Sequence, residues 1–421
     1  MTFDLFEKFD PILKDYNNLP EGEENPFTVS MEKVLSPTTA IINGRETILA
    51  GTNNYMGMTF NEDCIAAAQE ALTSLGTGTT GSRVLNGTYN SHKHLEDALR
   101  KFYDTRHAIV FSTGYQANLG IIATLAGVKD YVVIDADSHA SIYDGCAMGN
   151  ATIVRFKHND PESLDKKLAR IRRNDPQAGI LVVLEGVYSM LGDQAPLKEL
   201  TKVSKDHSAY VLVDEAHSIG VFGKTGRGVA QEQDVEDQVD FIVGTFSKSV
   251  GTIGGYCVSN HPKFEALRLV CRPYIFTASL PPSVVASATK ALELITSSNL
   301  RNKLLENSMK LNRGLSQAGF DMGTTGESPI AAIIVGEQNT AIAFWGQMIK
   351  EGVYVNLALP PATPDNLNLM RCSLSAAHSF EQIDFMLEKF ILVGTRLGLL
   401  QKAEERILGS DPTNIIHSAR A

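Results

Sequence analysis

Apolar residues in the middle of the chain recur in short runs, separated by longer segments of helical spacing. A short, continuously apolar run is typical of a strand covered on both faces of a sheet. Such runs predict seven strands, at residues 109–111, 131–134, 153–156, 180–184, 210–213, 241–243 and 256–258. Helical patterns, including those at residues 161–172 and 197–205, lie between most of them. The middle of the chain therefore predicts an α/β domain with a seven-stranded, mostly parallel sheet.

The pattern changes after about residue 290. A long helical stretch is followed by shorter strands and two further helices, which predicts a smaller α+β C-terminal domain. The helices are expected at residues 298–318, 340–351 and 380–397, and the strands at 330–335, 353–356 and 369–373. We therefore expect three parts. These are an N-terminal segment over residues 1–50, packed with the small domain or a partner subunit, a large domain over 51–290 and a small domain over 291–421.

Composition narrows the class of protein. Hydrophobic residues make up 43% of the chain and charged residues 20%, which is ordinary for a soluble globular enzyme. The net charge of −10 argues against nucleic-acid binding, because phosphates are bound by an excess of positive charge. The five cysteines are scattered without a C-x-x-C motif, so we expect reduced thiols in a cytoplasmic protein and no metal site.

The first 16 residues raise the question of a membrane. They carry several acidic side chains, which predicts that they are not a signal peptide, and no run in the chain reaches the roughly 18 apolar residues of a membrane span. Phe6, Phe9, Leu13 and Tyr16 follow helical spacing. This predicts a helix packed on the body of the protein or on a second subunit, with a weak membrane-surface contact as the alternative.

Two polar residues at predicted strand ends suggest a reaction class. Asp214 directly follows one buried run, and Lys248 lies in the segment that follows another. Because ligands bind beyond the carboxyl ends of parallel strands, both side chains should reach one site. Pyridoxal 5'-phosphate (PLP) needs an amine to form a Schiff base with its aldehyde and a carboxylate to hold a proton on its pyridine nitrogen. An aspartate at a strand end is by itself more often a cap, so the pair carries the prediction.

Other residues near strand ends suit the same cofactor. Thr245 and Ser247 flank the lysine with hydroxyl groups suited to a phosphate. Gly114 and Tyr115 open a helical run, where backbone N–H groups bind anions. His217 follows the aspartate and could donate to the cofactor's phenolic oxygen. A plain turn or a capping histidine would produce the same local patterns.

His139, Arg371 and a glycine-rich loop complete the candidates. His139 follows the strand at 131–134 and is a candidate to stack on the pyridine face. Arg371 lies in a predicted strand among apolar residues, so it needs a carboxylate partner, either a structural acid or a substrate. The loop at 76–83 lacks the ending of a phosphate-binding P-loop and the preceding strand of a dinucleotide fingerprint, so both interpretations are rejected.

Together these segments resemble the α-oxoamine synthases, PLP enzymes of aminotransferase fold type I. The resemblance covers residues 25–400 and rests on the segments 53–57, 78–83, 137–141, 185–190, 213–217, 244–248 and 277–282. It implies that Lys248 is the Schiff-base lysine, with Asp214 on the pyridine nitrogen, His217 on the phenolic oxygen and His139 on the ring face. It places Gly114, Tyr115, Thr245, Ser247 and Thr277 near the cofactor, and Asn53, Tyr55, Ser82 and Arg371 near the substrate.

Within that family the chain is similar to the serine-using branch, on the segments 86–88, 189–193 and 272–279, with Leu191 where relatives that use glycine or alanine generally have aspartate. This similarity implies condensation of L-serine with a long-chain acyl-CoA by a homodimer whose site lies at the subunit interface. Leu359 departs from the pattern, because some bacterial members carry arginine there. Arg371 is then the main candidate for the amino-acid carboxylate. The alternatives are a relative that uses glycine or alanine and a non-catalytic subunit of the same fold.

Overall fold

The computed structural model of the chain describes residues 4–10, 12–13, 25–26, 28–297, 299–323 and 328–400. Its strands are β1 (Lys33–Ser36), β2 (Thr39–Ile42), β3 (Arg45–Leu49), β4 (His107–Phe111), β5 (Tyr131–Asp135), β6 (Thr152–Phe156), β7 (Ile180–Glu185), β8 (Tyr210–Asp214), β9 (Phe241–Thr245), β10 (Gly255–Ser259), β11 (Ile330–Val335), β12 (Val353–Tyr354), β13 (Asn356–Ala358) and β14 (Asn368–Ser373).

Helices separate most of these strands. The α-helices are α1 (Glu62–Leu75), α2 (Asn90–Tyr103), α3 (Gly114–Leu125), α4 (Ala140–Met148), α5 (Pro161–Asn174), α6 (Leu197–Asp206), α7 (Val229–Glu232), α8 (Leu267–Val270), α9 (Arg272–Ile275), α10 (Pro282–Ser297), α11 (Leu300–Ala318), α12 (Gln338–Lys350) and α13 (Phe380–Arg396). Short 3₁₀ turns lie at Glu7–Phe9, Met58–Phe60, Glu236–Gln238, Phe264–Ala266 and Pro364–Asn366.

The central sheet has seven strands in the order β4-β10-β9-β8-β7-β5-β6. All pairs are parallel except those of β10, which runs antiparallel to β4 and β9. The seven predicted strands are all present, which confirms the predicted α/β fold with a mostly parallel sheet. Consecutive residues of the central strands enter two separate cores, Val133 and Val182 on one side and Ile134 and Val183 on the other. Both faces are therefore covered, as the continuous apolar runs predicted.

Two smaller sheets flank the central one. A four-stranded sheet has the order β1-β2-β3-β12, and its last pair is parallel, with Val353 opposite Ile48. A three-stranded antiparallel sheet has the order β11-β14-β13. The N-terminal strands therefore hydrogen-bond to a strand from the last quarter of the chain. The domain boundaries at residues 50 and 290 stay a prediction.

One predicted strand is divided between these sheets. Residues 353–356 were expected to form a single strand, but β12 pairs with β3 whereas β13 pairs with β14. The chain changes sheets at Val355, which is fully buried and whose carbonyl accepts a 2.9 Å hydrogen bond from Trp345 Nε1. That indole bond takes the place of a ladder bond, so the division leaves this carbonyl satisfied.

The described N-terminal residues carry several apolar side chains that face solvent in the single chain. Phe6 is 72% exposed and Leu13 53% exposed. A 3₁₀ turn covers Glu7–Phe9, and Tyr16 lies outside the described residues. Packing of this segment against a partner, and its alternative of a membrane-surface contact, stay predictions. Within the described ranges, no helix is long and apolar enough to cross a bilayer.

Candidate active site

The carboxyl ends of the central strands surround a cavity of about 330 Å³. β8 ends on Asp214, and β9 ends three residues before Lys248. The parallel register places Asp214 opposite Val243, so the sheet delivers the acid and the amine to one edge. Eight of the predicted residues line this cavity: Gly114, Tyr115, His139, Asp214, His217, Thr245, Ser247 and Lys248.

The Lys248 amine is buried, and this changes its chemistry. Burial lowers its pKa to about 8, against the opposing influence of the Asp214 and Glu185 carboxylates and with a smaller contribution from the Arg371 guanidinium. A lysine with that pKa carries a substantial fraction of free amine near neutral pH, whereas an ordinary lysine does not. Lys248 is therefore suited to act as a nucleophile and as a base.

Asp214 is held by donors on both of its oxygens. Asn118 Nδ2 donates to Oδ2 at 2.7 Å, and the backbone N–H of Ala216 donates to Oδ1 at 2.9 Å. Asn118 was missed in the sequence analysis, although it lies four residues after Gly114 and so on the same face of α3. These two bonds fix the orientation of the carboxylate.

His217 is held by a tyrosine. Tyr55 Oη lies 2.8 Å from His217 Nδ1, and both side chains are buried. Burial, and then the Lys248 charge, hold the pKa of His217 well below its usual value. The imidazole is therefore neutral at physiological pH. Tyr55 was predicted to lie near the substrate, and it contacts a histidine that lines the cavity of its own chain.

His139 lies where the segment after β5 enters α4. Its Nδ1 is 2.8 Å from Ser141 Oγ, and its backbone N–H donates to Glu185 Oε1 at 2.5 Å. Burial lowers the pKa of the His139 ring and raises that of the Glu185 carboxyl well above its usual range. Glu185 has no role in the sequence-based prediction. The register that sets it opposite Asp214 on the neighbouring strand is what brings it to the site.

The end of the cavity nearest α3 has the form of an anion cradle. Gly114 begins that helix, and a Cβ at this position would lie 2.7 Å from Thr245 Cβ. Only glycine therefore lets the first N–H groups of α3 approach the hydroxyls of Thr245 and Ser247, which are 2.8 Å apart. Backbone N–H groups and hydroxyls together are suited to a phosphate. With the Lys248 amine and the Asp214 carboxylate in the same cavity, these residues fit PLP.

Arg371 lies in a second, larger cavity of about 1060 Å³ that shares His139, His217 and Lys248 with the first. The guanidinium is buried and donates to Asn53 Oδ1 from both terminal nitrogens at 3.2 Å, and its Nε donates to the Ser189 carbonyl at 2.6 Å. Within the described part of the chain, its hydrogen-bond partners are all uncharged. Of the two partners that the sequence left open, these contacts favour a substrate carboxylate over a structural acid.

Three remaining residues of the sequence analysis have different surroundings. Leu359 lines the larger cavity, as do Leu357 and Ala358 of β13. Ser82 and Thr277 are not among the described residues that line either large cavity. Thr277 Oγ1 accepts a bond from Gln116 Nε2 at 3.3 Å and lies beside a small neighbouring pocket. A contact of Ser82 or Thr277 with the site stays a prediction.

Known proteins share both this fold and this length of chain. The family model described as aminotransferase class I and II matches residues 45–390. A serine palmitoyltransferase of Sphingomonas paucimobilis is 56% identical over 400 residues, 94% of each chain. A solved serine palmitoyltransferase from S. paucimobilis with PLP and myriocin bound is 55% identical, covers 94% of this chain and 100% of its own, and superimposes with a TM-score of 0.93. An 8-amino-7-oxononanoate synthase of Geobacter sulfurreducens is 38% identical over 365 residues, 86% of this chain and 92% of its own. The chain belongs to the aminotransferase class I and II family.

Proposed function

We propose that this chain is a PLP-dependent acyltransferase, a serine palmitoyltransferase. It condenses L-serine with a long-chain acyl-CoA, palmitoyl-CoA, to give 3-ketosphinganine, CoA and CO2, the first step of sphingolipid biosynthesis. The observation that carries this proposal is the 55–56% identity to serine palmitoyltransferases over nearly the full length of both chains. The lower identity to a synthase of a different product supports serine condensation over that alternative.

The residues that would hold PLP follow from the cavity. Lys248 would carry the cofactor covalently, Asp214 would bind its pyridine nitrogen, and His217 its phenolic oxygen. The ring would lie against His139, and the phosphate would occupy the cradle of Gly114, Tyr115, Thr245 and Ser247. When bound, PLP supplies an electron-accepting ring that stabilises negative charge on the amino acid's α-carbon.

The protein's own residues then orient the amino acid and move its proton. Arg371 binds the carboxylate of L-serine, with Asn53 and Ser189 fixing the guanidinium. The Lys248 amine removes the α-proton as general base, for which a pKa of about 8 is well matched. The α-carbon then bonds to the thioester carbonyl carbon, and CoA leaves with the thioester electron pair. The carboxyl group is lost as CO2, and the α-carbon takes up a proton in its place, which gives 3-ketosphinganine. The protein holds both reactants at one cavity, and this fixed orientation contributes to the rate of the reaction.

We also propose that two copies of the chain form a homodimer whose interface completes the site. The support is a set of exposed apolar side chains on the loops beside Ser82 and Thr277. They include Leu85, 81% exposed, and Phe276, 72% exposed. A second copy of the chain that covered these side chains would bring its own cofactor cavity close to the two loops. Light scattering on the purified protein tests the oligomeric state. We expect Phe276→Asp to weaken the association of the two copies.

The test of the reaction is a product profile. The purified protein is incubated with a mixture of amino acids and acyl-CoAs, and the products are identified by mass spectrometry. We expect 3-ketosphinganine from L-serine and palmitoyl-CoA. Turnover confined to glycine with acetyl-CoA would contradict the proposal.

Two lysine variants make this test specific. Lys248→Ala should bind no PLP covalently and form no product. Lys290→Ala is the matched control, because Lys290 is partly exposed and forms a salt bridge only with Glu293 among the described residues. Normal turnover by Lys248→Ala would refute the assigned chemistry.

We propose a cytoplasmic location as well. The buried, free state of all five cysteines fits a reducing compartment. Cell fractionation tests this proposal, and recovery of the protein with membranes would instead favour the surface contact of the N-terminal segment.

A further inference from the structure

A second cluster of ionisable side chains lies behind the walls of both cavities. His158 follows β6, and its Nδ1 lies 2.8 Å from Asp135 Oδ1 while its Nε2 lies 2.9 Å from Asp193 Oδ2. Asp137 Oδ2 is 3.7 Å from the same Nδ1. None of these four residues is among the described residues that line the cavities. These four residues have no role in the proposed reaction.

The contacts of His158 favour a charged ring. Each ring nitrogen has a carboxylate oxygen within hydrogen-bond distance, and a ring that carries a hydrogen on both nitrogens can donate to both. Burial would lower the pKa of His158, but hydrogen bonds and charge from Asp135 and Asp193 outweigh it and raise the pKa to about 10. The ring also packs edge-on against Tyr188 with centroids 4.5 Å apart. His158 is thus a cation at neutral pH, held between two carboxylates.

These two carboxylates belong to different segments of the site. Asp135 ends β5, and its Oδ1 also accepts from the backbone N–H of Asp137, two residues before His139. Asp193 belongs to the 186–194 hairpin, in which the Tyr188 N–H donates to the Asp193 carbonyl at 2.9 Å and Val187 pairs with Gln194. His158 therefore ties this hairpin to the end of the central sheet.

Among the described residues, the 186–194 hairpin makes one hydrogen bond to Arg371, the predicted carboxylate anchor. The Ser189 carbonyl, one residue beyond Tyr188, accepts the 2.6 Å hydrogen bond from Arg371 Nε. Ser189 and Met190 also line the larger cavity. A displacement of the hairpin would move this carbonyl and remove the restraint on Nε, so that Asn53 and Ser373 alone among the described residues would hold the guanidinium.

We propose that His158 is a positioning residue, whose cation fixes the 186–194 hairpin so that Ser189 orients Arg371 toward the carboxylate of the amino-acid substrate. The inference rests on the proposed function, because it takes L-serine as the ligand of Arg371. It assigns specificity for the amino acid to a residue that touches neither substrate nor cofactor.

The test is His158→Gln in the PLP-loaded enzyme. Glutamine keeps one donor and removes the charge. We expect the KM for L-serine to rise about 3- to 30-fold, the scale at which residues in such networks alter a coupled site, with little change in the KM for palmitoyl-CoA or in PLP content. His207→Gln is the matched control, because His207 Nε2 binds Asp165 at 2.7 Å outside both cavities. It should leave both KM values unchanged.

A double variant separates positioning from a general loss of stability. If His158 acts through Arg371, the His158→Gln change should weaken serine binding no further in an Arg371→Lys background. Additive losses would overturn the proposal. If His158→Gln does not fold, Asp193→Asn carries the same test, since it removes one of the two carboxylates and keeps the shape.

The failures of the two proposals are distinguishable. An unchanged serine KM in a folded, PLP-loaded His158→Gln protein would overturn the role of His158 and leave serine condensation intact. Absence of serine turnover by the unaltered enzyme would instead overturn the proposed function.

Discussion

The substitution Gly114→Ala tests the anion cradle directly. A Cβ on residue 114 would lie 2.7 Å from Thr245 Cβ and 3.0 Å from Thr245 Oγ1. Thr245 cannot give way easily, because its Oγ1 is bonded to Ser247 Oγ at 2.8 Å and to the Gly254 carbonyl at 2.9 Å. The start of α3 must therefore move away from β9. The N–H groups of the helix would no longer converge with the hydroxyls on one phosphate.

The size of the effect follows from the bonds at risk. A hydrogen bond to a charged group contributes about 1.5–3 kcal/mol. Misalignment of one such bond to the phosphate corresponds to PLP binding that is weaker by about 10- to 150-fold. Overpacking of a close contact also costs about 1–3 kcal/mol of folding free energy, so a modest fall in melting temperature should accompany the change.

The assay is a titration of the apoprotein with PLP, followed by visible absorbance. Gly336→Ala is the control, because a Cβ at that glycine meets no atom within 4 Å. Thermal unfolding of both variants shows whether the folded state is retained. A PLP dissociation constant for Gly114→Ala equal to that of the unaltered protein would refute the proposal that the cradle binds the phosphate.

Three further predictions concern the remaining side chains of the site. Arg371→Lys should raise the KM for L-serine about 10- to 100-fold and leave PLP binding unchanged, because lysine cannot donate to both oxygens of a carboxylate from two nitrogens. Steady-state kinetics at varied serine concentration measure this change. An unchanged KM for L-serine would contradict the prediction. Asn118→Ala should lower kcat by about 10-fold or more, since it removes the 2.7 Å donor to Asp214, and turnover at saturating substrates measures this. The rate at which the apoprotein takes up PLP should rise with pH and level off above about pH 8, because the lowered pKa of Lys248 leaves the free amine in excess there. Stopped-flow absorbance measures this rate. A rate that keeps rising toward the pKa of an ordinary lysine would contradict the argument that burial lowers the pKa of Lys248.

The central sheet was predictable because its signal is local. The strand β7 is buried at every residue and is apolar from Ile180 to Leu184, and that pattern is visible without any knowledge of the fold. The strands β1 to β3 were missed because β1 faces solvent at most positions and has no such run. The division at Val355 was missed because the change of sheet falls inside a short segment that has the composition of a single strand.

The site shows the same contrast. Lys248 and Asp214 were identified because each follows a predicted strand and the two residue types together suit PLP. The supporting contacts were not, because they join distant parts of the chain. Asn53 and Arg371 are 318 positions apart, and Asn118 and Asp214 are 96 apart. Their roles depend on three-dimensional proximity, which a single sequence does not encode in any spacing.

The surroundings of His139 determine which nitrogen of its ring carries the hydrogen. The backbone N–H of Ser141 can only donate, and it donates to Nδ1 at 3.2 Å. Since burial keeps the ring neutral, its one hydrogen must reside on Nε2. Among the described residues no hydrogen bond reaches Nε2, so this edge of His139 is a donor that attracts the oxygens of a substrate and disfavours its ammonium group. The tautomer of a single imidazole would therefore help the enzyme to distinguish the two ends of an amino acid.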